Sequence, residues 1–263
     1  IGLLAYYGGR TFLAEYQYRR AIDFLVQNDG KGSYDTLREA INLNPYVDRY
    51  HTSYAQVNLA LARTIAQNEN ITEADRTTIS QLIQQAIREG RATVTLNPQR
   101  SGNWEVLART YQSIMAFATG ADNFAIQTYN QAIALDPTNP NLRIALGGVY
   151  YALGRYDDAV RAFELAVLAK PDLANGHYNL AAGYREKGEI DKAIEQINAV
   201  LALVEKDSKD YEVAKAELDN LETKKKEKAE AGETLTPPKE AEEPVIKPPL
   251  ELPEEATPPA TGQ

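Results

Sequence analysis

Two histidines, a lysine in a glycine-rich stretch and a pair of adjacent aspartates are the residues from which chemistry would have to be built in this chain. His51 and His177 stand far apart in a sequence without cysteine, and neither has a carboxylate pair beside it, so they form no metal-ligating set. Packing on a helix face is the expected role of both. Lys31 lies in "NDGKGS", which lacks the G-x-x-x-x-G-K-[ST] spacing and the preceding strand that would cradle a phosphate, so this stretch is expected to be a loop between helices. Asp157 and Asp158 fall in the first turn of an expected helix, where the macrodipole favours a negative charge by about 0.3–1 kcal/mol, and capping accounts for them. Trp104 shares an apolar stripe with Leu107 and Tyr111 and is expected in the core. No G-x-S-x-G elbow or Ser/Lys signature occurs. The sequence therefore assigns no catalytic, cofactor-binding or metal-binding residue, and the expectation is a protein that is not an enzyme.

Composition narrows the partners. A net charge of −9 over 263 residues argues against nucleic acid, which needs a basic face. The absence of cysteine excludes disulfides and leaves the compartment open. The chain opens on Ile1 with "IGLLAYYGG", which is apolar but shorter than the roughly 20 residues of a spanning helix. It is expected to be either the end of a membrane helix from a longer or processed chain or the apolar face of the first helix.

The elements that position these residues are set by a repeat. In "ALGGVYYALGRYDDAVRAFELAVLAKPD", Leu146, Gly147 and Tyr150 share one helical face, Gly154 interrupts the pattern, Ala159 and Phe163 share a second face, and Pro171 ends the unit. A shift of 34 residues downstream finds Leu180, Ala181, Tyr184, Gly188, Ala193 and Ile197, and the same shift upstream finds Ser113, Gly120, Ala125, Tyr129 and Pro137. Prolines at 45, 98, 137, 140 and 171 each follow an apolar run, and the other eight lie beyond Glu233. This punctuation predicts hairpins at about 10–45, 47–97, 102–137, 140–171 and 174–205, a capping helix at 208–230, and a domain spanning 1–231. In the first hairpin, "FLAEYQYRRAIDFLVQ" pairs with "SYDTLREAINL". The second is longer, with 53 residues between Pro45 and Pro98, so its helices should project past their neighbours. Small residues at Gly147, Gly148, Ala181 and Ala182 would let paired helices close up. Residues 232–263 are rich in Pro and Glu without helical or strand period and are expected to be an extended or disordered tail.

The pattern of aromatic, Leu-Gly, Tyr, Ala, aromatic and closing Pro resembles the tetratricopeptide repeat, with Arg143 standing where that family's first-helix Trp usually is. The resemblance implies an all-α fold, a right-handed α-α superhelix, whose concave face accepts a protein or extended peptide. Carried over to this sequence, the inward positions are Tyr18, Ile22, Arg49, Thr52, Gln56, Thr110, Ile114, Phe117, Asn141, Ile144, Tyr151, Asn175, Tyr178, Asn179 and Arg185. Ile144 and Gly148 stand where a carboxylate-clamping Lys and Asn would be needed, so a bound peptide would be held by aromatic contact and amide hydrogen bonds. A local stretch, "INLNPYVDRYHTSYAQVNLALA" behind the apolar start, also resembles the repeat tails of bacterial O-antigen ligase or polymerase-like membrane proteins. That resemblance implies the soluble tail of a polytopic glycan-assembly protein held outside the cytoplasm; the leading expectation is a non-catalytic scaffold that recruits protein partners at a bacterial envelope, tethered to the membrane upstream of Ile1, with a cytoplasmic location still open. A homo-oligomer, as a filament built by stacking "IGLLAYY" on the far end of another copy, is the other reading, and the soluble tail of a glycan polymerase or ligase is a third.

Overall fold

A computed structural model describes residues 2–68, 70–116 and 118–230, with side chains from Tyr6 to Ala229. Among them are eleven helices: α1 (Gly2–Val26), α2 (Gly30–Leu43), α3 (Asp48–Ala66), α4 (Glu73–Leu96), α5 (Ser101–Ser113), α6 (Ala121–Leu135), α7 (Pro140–Ala152), α8 (Tyr156–Ala169), α9 (Ala174–Glu186), α10 (Ile190–Leu203) and α11 (Lys209–Glu230). They pair in order as hairpins, and the expected all-α repeat array is what forms. Two compact units divide the helices, α1–α6 in the first and α7–α11 in the second, with the division after Leu135. Phe117 and the tail 232–263 lie outside the described residues.

Local chemistry sets the helix ends. Thr72 and Asp75 form a reciprocal capping box at the start of α4. Asn139 caps α7, with Pro140 in its first turn, where the missing N–H costs no hydrogen bond. Gly154 and Gly188 take positive φ in the tight turns of the second unit, and Asn28 takes that conformation in the first hairpin. α2 begins at Gly30, earlier than "SYDTLREAINL", because the Asp29 carboxylate accepts the Gly32 N–H at 2.8 Å.

α1 starts well before the expected residue 12: "GLLAYYGG" continues into it, and a Cβ on Gly8 or Gly9 would meet nothing within 4 Å. Its inner face buries Ala14 and Ala21, while Tyr6, Tyr7, Phe12 and Tyr16 stay exposed. Among the described residues no helix is long and apolar enough to cross a membrane.

The second hairpin carries its extra length in both helices, with 19 residues in α3 and 24 in α4 against 13 in α5, α7 and α9. In the second unit, Phe163, Leu180, Ala181, Ile197 and Leu221 form one core, each burial contributing about 1.5–3 kcal/mol for the large side chains. Gly147 belongs to it, since an added Cβ would run into the Phe163 ring. Gly148 does not, because its Cβ direction is open. Only one glycine of that pair is required for close packing. α11 closes the unit with Ala214 and Leu221 fully buried.

Asp157 and Asp158 do lie in the first turn of α8, but no side chain caps that helix. Asp158 is held by Arg155 and Arg161, and Asp157 accepts from Lys187 at 2.8 Å, so cross-linking by arginine and lysine accompanies the dipole effect.

One hydrogen bond recurs through the array. The Nε2 of His51 lies 2.9 Å from the Pro45 carbonyl, Trp104 Nε1 donates to Pro98 at 2.7 Å, Arg143 Nη1 donates to Pro137, and His177 Nε2 lies 2.8 Å from Pro171. In each case the donor stands six residues after the proline. Three unlike side chains share one property, an N–H that can reach back and tie the closing turn to the next helix. Packing alone, as expected for the two histidines, misses this role.

Candidate functional site

In the second unit, α7, α9 and α11 are joined edge to edge by polar side chains. Arg185 of α9 donates to Tyr151 Oη of α7 at 3.2 Å and to Glu217 of α11 at 2.6 Å, and it pairs with Glu186 at 2.9 Å. Tyr151 in turn donates to Glu186 at 3.1 Å. Burial and the Glu186 carboxylate both push the Tyr151 phenol up. Burial opposes the charge on Arg185, but Glu217 and Glu186 outweigh it and raise its pKa. Both expected site residues are thus brought together, in a network that leaves the guanidinium already neutralised.

The remaining expected residues of this unit are more open. Asn141 and Asn175 are exposed, Ile144 is half-buried against the core, and Tyr178 is 36% exposed. Asn179 donates to the Asn175 carbonyl at 2.7 Å and to its side-chain oxygen at 3.0 Å, which orients the Asn175 carboxamide. The carboxamide of Asn141 and the hydroxyl of Tyr178 make no intramolecular hydrogen bond among the described residues. Tyr178 and Asn175 line a cavity of about 190 Å³ together with Val200, Val204, Asp210 and Val213. Sequence periodicity does not reveal this hole, because three of its walls come from α10 and α11, whose docking angle no repeat arithmetic supplies.

In the first unit, Arg49 sits over the Tyr18 and Tyr50 rings at 5.3 and 5.6 Å and pairs with Glu15. Tyr18 and Ser53 share a hydrogen bond at 3.4 Å, Ile22 and Thr52 are half-buried, and Gln56 is exposed. The two basic residues expected on the inward face, Arg49 and Arg185, are therefore both committed to carboxylates within the chain.

Thr110 and Ile114 are a correction. They are 0% and 1% exposed, so neither offers a surface to a partner. Thr110 donates to the Val106 carbonyl at 2.8 Å and faces Gly90, and Ile114 lines a cavity with Ile79 and Ile83 of α4. The cause is register. Pro98 and Pro137 are 39 residues apart, and the excess falls mainly between α5 and α6, so counting 34 back from the next repeat lands too far along α5. Counting six forward from Pro98 to Trp104 sets Leu107, Ala108 and Tyr111 in the core, all fully buried. The outward positions of α5 then include Glu105 and Arg109, an ion pair at 2.5 Å. No group of three or more His, Cys, Asp or Glu side chains among the described residues is placed to hold a metal.

Residues 123–182 match the family model described as Tetratricopeptide repeat. That segment of the chain therefore resembles tetratricopeptide repeats. The chain is similar in fold to the MamA protein, with a TM-score of 0.55 at 17% identity, covering 86% of this chain and 98% of that one. It is also similar to a thermophilic tetratricopeptide-repeat protein of Thermus thermophilus, with a TM-score of 0.56 at 19% identity, covering 80% and 99%. A third structure, a tetratricopeptide-repeat protein described as having an unusual peptide-binding site, aligns at TM-score 0.51 and 14% identity over 76% and 90%. Among curated proteins, Superkiller protein 3 of Schizosaccharomyces pombe is 28% identical over 114 residues, 43% of this chain and 8% of that protein. A probable UDP-N-acetylglucosamine--peptide N-acetylglucosaminyltransferase of Arabidopsis thaliana is 31% identical over 70 residues, 27% of this chain and 7% of its own length. The chain thus spans less than a tenth of these curated relatives.

Proposed function

We propose that this protein is a non-catalytic scaffold whose second unit holds an extended segment of a partner protein across α7, α9 and α11. The observation that carries the reading is the cavity lined by Asn175 and Tyr178, in the unit that also exposes Asn141 on α7. A carboxamide both donates and accepts, so Asn141 and Asn175 match the alternating N–H and C=O of an extended backbone. One apolar side chain of the segment enters the valine-lined hole. Since Arg185 is already paired, charge contributes little to holding the peptide. Selection of peptides from a random library by the whole chain tests this: Asn141→Ala and Tyr178→Ala should each weaken the selected peptide about tenfold, and unchanged capture would sink the reading.

As part of the same proposal, the scaffold works outside the cytoplasm at a bacterial envelope. Support comes from the local likeness of residues 41–62 to the tails of O-antigen ligase or polymerase-like proteins, and from the exposed aromatic face of α1. An alkaline phosphatase fusion after residue 263 of the natural gene product, active only outside the cytoplasm, would be active if this holds and silent if it does not.

A further inference from the structure

One face of α1 is packed and the other is left uncovered. Ala14 clusters with Ala40 and Tyr50, and Ala21 with Leu37 and Tyr54. On the opposite side of the helix Gly9, Phe12, Leu13, Tyr16 and Arg20 follow one another at i, i+3, i+4, i+7 and i+11, the spacing of a single stripe. Phe12 is 72% exposed, Tyr6 at the edge of the stripe 57%, Tyr16 53% and Leu13 49%. At about 150–250 Å² for each aromatic side chain, these four residues leave about 400–500 Å² of aromatic and aliphatic surface in water. A contiguous patch of that size marks an interaction surface.

Two further features of the stripe are unexplained within one copy. Gly9 stands inside a 25-residue helix, where glycine weakens the helix relative to alanine, yet a Cβ there would meet nothing within 4 Å. No neighbour among the described residues needs it to be small. Arg20 lies over the rings of Tyr16 and Phe24 at 5.9 and 5.7 Å, and Asp23 follows it on the same exposed side, so the stripe ends in one charge of each sign. Two such stripes laid parallel would set Arg20 against Arg20 and Asp23 against Asp23, which like charges oppose. Laid antiparallel about a two-fold axis level with Ala14 and Glu15, they keep the two copies of Arg20 about 16 Å apart along the helix. That register brings Gly9 of one copy opposite Arg20 of the other, and Phe12 and Leu13 opposite Tyr16. The arginine then lies where the missing Cβ leaves room.

We propose that the uncovered face of α1 is a docking surface for a second copy of this chain, with the two α1 helices antiparallel and Phe12 and Leu13 of each against Tyr16 of the other. The same patch serves both copies, so the interface is isologous and closes at two, unlike a filament of stacked ends. The two sides together bury about 1,000 Å², at the lower limit of a specific interface, and the pair forms in the micromolar range. The inference rests on α1 alone and is independent of the Tyr178 cavity.

Sedimentation velocity of the full chain tests this. The wild type should pass from monomer to dimer between about 1 and 500 μM and grow no further. Phe12→Glu should weaken the dimer at least tenfold, and Gly9→Gln, which fills the space over the glycine, should weaken it about tenfold. Both positions are exposed, so thermal melting at about 2 μM should show no loss in either variant, and a folding defect is distinguishable. The chain has no cysteine, so introduced thiols report the orientation. A mixture of Gly9→Cys and Arg20→Cys chains should oxidise to a mixed disulfide dimer, while Arg20→Cys alone should not cross-link. A chain still monomeric at about 500 μM, growth beyond the dimer, association indifferent to Phe12→Glu, or cross-linking of Arg20→Cys with itself would each overturn the proposal. So would a monomer that floats with phosphatidylglycerol vesicles through Phe12, which would assign the face to a lipid surface.

Discussion

His51 Nδ1 lies 2.6 Å from Glu89 Oε2, between α3 and α4 and away from solvent, while its Nε2 faces the Pro45 carbonyl. A carbonyl only accepts, so Nε2 carries a proton, and a carboxylate at Nδ1 favours the second. Burial works against the imidazolium, but the Glu89 and Pro45 hydrogen bonds and the charges of Glu89 and Asp48 prevail and raise the His51 pKa above its ordinary value. The folded chain therefore binds a proton more tightly than the unfolded chain. The stabilisation is complete below the ordinary histidine pKa of about 6.5 and is lost as pH rises through the raised value. Denaturant titrations between pH 5.5 and 8.5 should show wild-type stability falling with pH more steeply than that of Glu89→Gln. Parallel slopes would show that the pair does not titrate as described. His177, whose Nδ1 meets Gln196 at 2.8 Å in the matching place of the second unit, is unchanged in both chains.

The two adjacent glycines of α7 should respond in opposite directions. Gly147→Ala forces a methyl into the Phe163 ring and should cost about 1–3 kcal/mol. Gly148→Ala meets open space in a helix interior and should add about 0.5–1 kcal/mol. Calorimetric melting of both variants checks the pair, and like signs would contradict the packing described.

Trp104 is the single tryptophan, 5% exposed, with its indole N–H on the Pro98 carbonyl. Trp104→Phe keeps most of the ring and removes the donor, leaving that carbonyl without its partner. A loss of about 1–3 kcal/mol is expected in urea unfolding followed by circular dichroism. In the wild type, tryptophan emission should shift to the red in the same transition.

Stability and binding should separate along the expected inward face. Ile114→Ala removes a fully buried side chain and should cost about 2–5 kcal/mol. Tyr178→Ala, at a partly exposed residue, should cost less than about 1 kcal/mol while weakening peptide capture. An Ile114→Ala chain with wild-type stability would return that residue to the surface.

A guanidinium held by three groups should show coupling. A double-mutant cycle on Arg185→Ala and Glu217→Gln is expected to give about 0.5–1 kcal/mol of interaction, as the pair is only partly exposed. Zero coupling would mean that α9 and α11 are held by apolar contact alone.

The sequence by itself determined the hairpin array, because a helix and its partner are specified by local periodicity and by where proline ends a run. Tyr111, Phe163, Ile197 and Leu221 all read correctly as core from their spacing. It also carried, unnoticed, the proline-plus-six spacing that places His51, Trp104, Arg143 and His177 on the carbonyl before their helix. Tertiary structure alone decided which inward residues are free. Arg49 and Arg185 look like cations available to a partner until Glu15, Glu186 and Glu217, on other helices or a helix end, neutralise them. Thr110 and Ile114 look inward until the longer connection from α5 to α6 shifts their register and the long α4 covers them. The reason is physical: helix periodicity is local and set by 3.6 residues per turn, whereas exposure depends on which neighbour fills the space opposite, and on loop lengths that move one repeat against the count of the next.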